Sequence, residues 1–131
     1  MLDSSLERKL RELVESAAPE VVAIYLYGSR ARGSEHSGSD LDLGVLLLQP
    51  PPATLKGVAR DLEAAVEAAV RVPAQVVVLN QAPVDLVHRV LRDGILVLDR
   101  DRAARLRFEV QARNEYFDMA PIRQLYRRVK T

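Results

Sequence analysis

The sequence contains no cysteine and no tryptophan, and four tyrosines and two phenylalanines are its only aromatic residues. Without cysteine, the chain can form no disulfide and no thiolate zinc site, and it has no cysteine nucleophile. So few aromatic rings also argue against a base-stacking platform for single-stranded nucleic acid. Because a chain without cysteine is typical of a reducing compartment, we expect a cytoplasmic protein.

The sequence also lacks an excess of one charge and any long apolar run. Its formal net charge of +1 gives no electrostatic basis for non-specific binding to nucleic acid, and we expect no nucleic-acid partner. No apolar run reaches the roughly 18 residues of a membrane span, and the polar N-terminus does not resemble a signal peptide. A content of 48% hydrophobic and 28% charged residues is typical of a globular protein, and we expect one domain over residues 1–131.

Hydrophobic periodicity predicts an alternation of helices and strands. Apolar residues at helical spacing predict helices over 6–17, 55–69 and 86–91 and from about 100 onward. Runs of β-branched and aliphatic residues predict strands over about 21–27, 40–48, 75–79 and 95–98. Gly94 is predicted as the C′ residue that ends the third helix. The expected fold class is therefore α/β (α+β), with a small mixed β-sheet of about four strands and helices packed on it.

A glycine–serine turn directly follows the first predicted strand. Gly28 permits a tight turn and the close approach of a ligand. Ser29 is suited to N-cap a short helix over 30–33, whose free N–H groups would face an anion. Arg30 and Arg32 add positive charge that could neutralise a polyphosphate, and the sequence does not decide which of them contacts it. These residues are candidates for nucleotide binding.

Two aspartates open the second predicted strand. Because side chains alternate along a strand, Asp40 and Asp42 are expected on one face, about 6.6 Å apart in rise, with Leu41 and Leu43 on the other. Two carboxylates at that separation can share a hard cation, and Mg²⁺ binds through one or two carboxylates together with substrate phosphates. We predict that both aspartates are metal ligands and catalytic residues, and that Ser39 beside them contacts the nucleotide. A triphosphate between the turn and the metal would permit phosphoryl transfer.

These motifs resemble those of a known superfamily. Gly28-Ser29, ten residues and then Asp40-x-Asp42 is similar to the signature of the nucleotidyltransferases that include DNA polymerase beta and the kanamycin nucleotidyltransferases. The short length and the wording of residues 27–33 and 39–43 resemble the minimal nucleotidyltransferase (MNT) family, whose members act as antitoxins to HEPN-domain proteins. The resemblance covers nearly the whole chain. It implies the nucleotidyltransferase fold and Mg²⁺-dependent transfer of AMP from ATP, with a two-metal site possible. The implied acceptor is a tyrosine of a cognate HEPN ribonuclease toxin.

One position departs from the family pattern. The superfamily usually has a third carboxylate on a neighbouring strand, where it completes the metal site and acts as the base toward the acceptor hydroxyl. The matching position here holds Gln75, whose amide carries no charge and accepts no proton at neutral pH. Neither Glu35 nor Asp85 is an evident substitute. Two functions therefore stay open: an active adenylyltransferase, or a catalytically weakened nucleotide-binding antitoxin that neutralises its partner by complex formation. A nucleotide-sensing regulator is a third.

Other polar residues are expected to have ordinary surface or packing roles. His36 lies in the connecting loop, His88 is predicted on a helix surface or boundary, and Tyr25 is predicted to pack on helices while its ring edge reaches a polar neighbour. The basic C-terminal residues are read as a solvated face or a docking edge for a partner. Exposed apolar positions on the last helices leave homo-oligomerisation possible.

Overall fold

A computed structural model describes residues 4–28, 40–49, 57–122 and 124–125. The described residues form four long helices and four strands, with a short 3₁₀ turn at Leu79–Gln81, and residues 120–122 and 124–125 are also helical. In chain order the helices and strands are α1 (Ser4–Ala17), β1 (Val21–Tyr27), β2 (Leu41–Leu47), α2 (Gly57–Val70), β3 (Ala74–Val78), α3 (Val84–Asp93), β4 (Ile95–Asp99) and α4 (Arg102–Asp118).

The four strands form one mixed sheet in the order β3-β2-β1-β4. Strand β1 pairs antiparallel with both β2 and β4, whereas β2 and β3 run parallel. The predicted class, a small mixed sheet of about four strands with helices packed on it, is confirmed. Each predicted strand is present with its ends shifted by a residue or so, because the apolar pattern marks a strand without fixing its terminal hydrogen bonds.

Helices α1 and α2 cover one face of the sheet and enclose the larger core. Leu10 and Val14 of α1 are almost fully buried, as are Leu62 and Val66 of α2. The sheet contributes apolar residues from all four strands to this core. Full burial of one such side chain stabilises the fold by about 1.5 to 3 kcal/mol. The strand residues buried in this core include Val21, Ile24, Leu41, Leu43, Val45, Val76, Val97 and Leu98.

Helices α3 and α4 cover the opposite face. Val87 and Val90 of α3 pack there against Tyr25 and Leu46. Gly94 ends α3 as predicted, but its φ of −79° is extended and not the left-handed geometry of a C′ glycine. Glycine is required at position 94 because backbone carbonyl groups approach it closely. A Cβ there would collide with the Val90 carbonyl oxygen and lie 3.2 Å from the Leu26 carbonyl oxygen. The end of α3 is thereby held against the end of β1.

A polar network fixes the inner side of α4 to the sheet. The Tyr25 hydroxyl donates to Glu109 Oε2 at 2.6 Å, which confirms the predicted polar neighbour of this ring. Arg105 bridges Glu109 Oε2 at 2.9 Å and Asp99 Oδ2 at 2.8 Å, with 13% of its side chain exposed. Burial raises the pKa of Tyr25, and Glu109 raises it further. Burial alone would lower the pKa of Arg105, but its hydrogen bonds to Glu109 and Asp99 outweigh burial and raise it. The Asp101 side chain caps α4 by accepting from the Ala104 N–H at 3.0 Å.

Side chains complete the hydrogen bonding of the sheet around β3. Asn80 accepts from the Leu47 N–H at 2.9 Å and donates to the Leu47 carbonyl at 3.0 Å, so its amide continues the ladder beyond β3. Glu63 of α2 accepts from the Val76 N–H at 2.8 Å, on the outer side of the edge strand.

No helix in the described ranges is both long enough and apolar enough to cross a bilayer.

Candidate active site

The candidate site forms where the end of β1 meets the beginnings of β2 and β3. In the strand register Tyr27 of β1 lies opposite Asp42 of β2, and Asp42 lies opposite Gln75 of β3. Residues directly opposite one another share a face of the sheet. The three side chains therefore form a row across three strands, on the face that α3 and α4 cover.

The two aspartates differ in their surroundings. Leu41 and Leu43 are buried in the core beneath α1 and α2, so Asp42 projects from the opposite face, as alternation along the strand predicts. Asp42 is half-buried, whereas Asp40 is exposed immediately before β2. The Gln75 amide Nε2 lies 3.5 Å from Asp40 Oδ2, at the outer limit of a hydrogen bond. The structure thus brings Gln75 to both predicted metal ligands.

Gly28 is in direct contact with the Asp42 carboxylate. Its φ is +79°, in the left-handed region that favours glycine. A Cβ added at Gly28 would collide with Asp42 Oδ2 and lie 3.2 Å from Asp42 Cγ. The glycine turn and the second aspartate therefore belong to one site, and the space beside the carboxylate exists only because residue 28 has no side chain.

Two further residues, Tyr27 and Arg89, interact electrostatically at the site. Burial raises the pKa of the Tyr27 hydroxyl, the negative charge of Asp42 raises it further, and the positive charge of Arg89 opposes this rise. Arg89 precedes Val90, whose Cγ1 is 3.2 Å from where a Cβ of Gly44 would lie. Sequence reasoning placed neither Tyr27 nor Arg89 at this site. The packing of α3 against the sheet brings Arg89 to this region, and no local pattern signals it.

The remaining predicted residues divide between those that lie outside the described residues and those placed elsewhere. Asp85 lies in the first turn of α3, at the opposite end of that helix from Gly94 and the end of β1. His88 stacks on Tyr116 of α4 with ring centroids 3.5 Å apart, in keeping with its predicted boundary position. Several predictions fall in the connection between β1 and β2, outside the described residues: Ser29, Arg30, Arg32, Glu35, His36 and Ser39.

The donor set limits which metal the site could hold. Asp40 and Asp42 offer carboxylate oxygens and Gln75 offers an amide oxygen, all of which are hard ligands. Among the residues that the structure describes, no group of three or more His, Cys, Asp or Glu side chains could hold a metal ion. The set fits Mg²⁺, which binds through one or two carboxylates and takes its other ligands from water and substrate phosphates.

Comparison with known proteins identifies the family of the chain. The family model of polymerase beta nucleotidyltransferases matches residues 8–103. The protein adenylyltransferase MntA of Shewanella oneidensis is 32% identical over 89 residues, which are 67% of this chain and 61% of that protein. The chain therefore matches less than two thirds of the length of this relative.

Solved structures share the fold over almost the whole chain. A toxin–antitoxin structure with AMP-PNP matches with a TM-score of 0.79 and 24% identity, covering 95% of this chain and 98% of that one. The MNT antitoxin complex with the tri-AMPylated HEPN toxin of Shewanella oneidensis matches with a TM-score of 0.73 and 20% identity, covering 96% and 97%. At these identities the likeness establishes the fold alone. From the family match and the shared residues with MntA, the chain belongs to the polymerase beta nucleotidyltransferase family.

Proposed function

We propose that this protein transfers AMP from ATP to a tyrosine hydroxyl of a cognate HEPN toxin and acts as its antitoxin. The observation that carries the proposal is the contact between the left-handed Gly28 turn and the Asp42 carboxylate. A turn that binds phosphate and a carboxylate that binds a metal must be adjacent for one triphosphate to bridge them. The likeness to MntA supports protein as the acceptor, and the match to a complex containing AMP-PNP is consistent with an adenine nucleotide.

Each residue has a distinct role in this proposal. Asp40 and Asp42 would hold Mg²⁺, which when bound would neutralise phosphate charge and lower the pKa of the acceptor hydroxyl. Gly28 lets the triphosphate approach the backbone, and Ser29, Ser39 and one of the two arginines, Arg30 or Arg32, would contact its phosphates. The tyrosine oxygen forms a bond to the α-phosphorus while the bond from that phosphorus to the β-phosphate oxygen breaks. Pyrophosphate leaves, and the hydroxyl proton passes to a base.

The residue at position 75 affects which group can accept the proton of the acceptor hydroxyl. Gln75 is opposite Asp42 in the parallel register and cannot accept a proton at neutral pH, so it does not act as the base. Loss of a positioned general base typically costs 10²–10⁴-fold in rate. This observation favours a second candidate function, in which the chain keeps its nucleotide site but neutralises the toxin by forming a complex. Slow transfer could nevertheless suffice for a stoichiometric protein target.

Incubation with labelled ATP, Mg²⁺ and the product of the adjacent gene separates the two functions. Label on a tyrosine of that product, lost in Asp42→Asn, supports the adenylyltransferase. Absence of label, together with a tight complex that Asp42→Asn leaves intact, overturns transfer and supports neutralisation by binding. Replacing Mg²⁺ with Ca²⁺ in a parallel reaction tests the metal dependence.

Substitution of Gln75 tests the missing base directly. Gln75→Asp should raise the rate of labelling by about 10²-fold or more, because it restores a carboxylate beside Asp42. Gln75→Asn is the matched control, since it shortens the side chain equally without adding a charge. Equal rates in the two variants would contradict the assigned role of this position.

A further inference from the structure

The outer side of α4 carries an apolar stripe that the fold leaves uncovered. Leu106, Val110 and Phe117 are 40%, 51% and 60% exposed, although their spacing of four and seven residues places them on one side of the helix. The stripe spans about 16 Å of helix at a rise of about 1.5 Å per residue. Contiguous exposed apolar side chains on a helix mark an interaction surface.

Arginines accompany this stripe. Arg102 and Arg113 occupy the same side of α4, one turn before Leu106 and one turn before Phe117, and Arg107 lies beside it. Within the described part of the chain, none of the three forms an ion pair. The stripe itself contains no carboxylate. Further basic residues follow α4 in the sequence, with no acidic residue after Asp118: Arg123, Arg127, Arg128 and Lys130.

The inner side of α4 holds this surface in place. The ion pair of Arg105 with Asp99 and the hydrogen bond of Tyr25 to Glu109 attach the helix to the sheet, and the Arg105–Glu109 pair within α4 joins these two contacts. A helix fixed along its inner side presents its outer side chains in a defined arrangement, which reduces the entropic cost of binding.

Two grooves border the stripe on the side of Arg107. One groove of about 250 Å³ lies between α4 and the end of β2, where Leu48 is 60% exposed next to Arg107 and Gln111. The other, of about 620 Å³, runs along the helix between Leu106 and Asp118 and is also lined by Arg107 and Gln111. A helical partner can pack against the stripe along this border.

We propose that the outer side of α4 is the docking surface for the partner protein, and that it binds a helical face on which apolar residues are flanked by carboxylates. This inference rests on the proposed function for the existence of that partner. Carboxylates opposite Arg102, Arg107 and Arg113 would form charge-assisted pairs on desolvation. Helix α4 packs on the same face of the sheet that carries Asp42 and Tyr27.

A second copy of the chain is the less favourable occupant. Glu115 and Asp118 border the stripe and could pair with two of the three arginines of another copy, which leaves one arginine of each copy without a carboxylate. The oligomeric state of the wild type decides between the two occupants.

The test compares charge insertions of the same kind on the two helical layers. Val110→Glu places a carboxylate in the stripe, whereas Ala68→Glu places one on an exposed position of α2, which covers the other face of the sheet. Both positions are solvent-exposed, so both variants should fold, and circular dichroism checks this. Binding to the purified product of the adjacent gene is measured by isothermal titration calorimetry.

The expected result is that Val110→Glu and Arg113→Glu weaken binding by about tenfold or more, while Ala68→Glu and Arg113→Lys bind as the wild type does. Unchanged binding of Val110→Glu and Arg113→Glu would overturn the docking surface while leaving the proposed transfer intact. A wild-type dimer that Val110→Glu converts to a monomer would overturn it in favour of self-association. Binding through α4 without label transfer would instead overturn only the proposed chemistry. A wild-type chain that does not bind this product would overturn both proposals.

Discussion

Replacing Gly28 with alanine tests the geometry on which the candidate site depends. The backbone of this residue has φ +79°, a conformation that costs a residue with a side chain about 1 to 2 kcal/mol. The new Cβ would also collide with the Asp42 carboxylate, which must rotate away or push the turn outward. We therefore expect Gly28→Ala to lower both the free energy of unfolding and the affinity for the magnesium complex of ATP.

The magnitude can be estimated for a chain of 131 residues. A loss of about 1 to 2 kcal/mol corresponds to a fall of about 4 to 7 °C in the melting temperature, given the typical entropy of unfolding per residue. Urea unfolding followed by circular dichroism gives the free energy, and calorimetric titration with ATP and Mg²⁺ gives the affinity. The displaced carboxylate should weaken binding by more than the loss of stability explains, because the variant is still folded under the conditions of the titration.

Gly57→Ala is the matched control. It is the same substitution, but the nearest atom to the added Cβ is Asp61 Oδ2 at 3.9 Å, and Gly57 lies in the first turn of α2. Alanine favours a helix by up to about 1 kcal/mol relative to glycine, so stability should be equal or higher. If Gly28→Ala were as stable as Gly57→Ala and bound nucleotide as the wild type does, the contact between the turn and Asp42 would not be as described.

Three other substitutions test contacts that hold the fold together. Tyr25→Phe should remove a pH dependence of the free energy of unfolding. Burial and Glu109 raise the pKa of Tyr25 in the folded protein. The protonated hydroxyl therefore stabilises the fold fully below about pH 10, and this stabilisation is lost as the pH rises above that value. Above about pH 10, the wild type should lose up to about 1.4 kcal/mol per pH unit more than the variant, and equal slopes in urea unfolding would refute this. Asn80→Ala should cost about 1 to 3 kcal/mol, since it leaves both polar groups of Leu47 without their side-chain partner, and no change in the urea midpoint would contradict the ladder extension. Leu10→Ala should cost about 2 to 5 kcal/mol in the buried core, and a smaller loss would show that the core closes over the cavity.

The sequence predicts the sheet and the position of the site because both depend on local patterns. Alternation along β2 places Leu41 and Leu43 in the core and Asp42 on the opposite face, and the structure agrees. Gly28 directly follows β1 and Asp42 lies on β2, as predicted, whereas Asp40 lies just before the strand that was predicted to include it. Gln75 occupies the strand position next to Asp42, as the comparison with the family pattern suggested.

Other features depend on contacts between distant residues and could not be predicted. Tyr25 and Glu109 are 84 residues apart in sequence, and Arg89 comes near the site only through the packing of α3. Helix α4 shows this limit most clearly. The large apolar residues Leu106, Val110 and Phe117 indicated a helix, but its inner side uses Phe108 together with small and charged side chains such as Ala104 and Glu109. Periodicity finds the helix without determining which side faces the sheet.

The hydrogen bond of Glu63 to the Val76 N–H has a consequence for how the protein avoids aggregation. Strand β3 is at the edge of the sheet, and its outward-facing N–H groups are a template on which a foreign strand could pair. At Val76 that position is already taken by a carboxylate from the adjacent helix, which also brings negative charge to the border. An incoming strand would have to displace Glu63 and leave its charge without this partner, so fibril-like growth from this border is disfavoured by the fold itself.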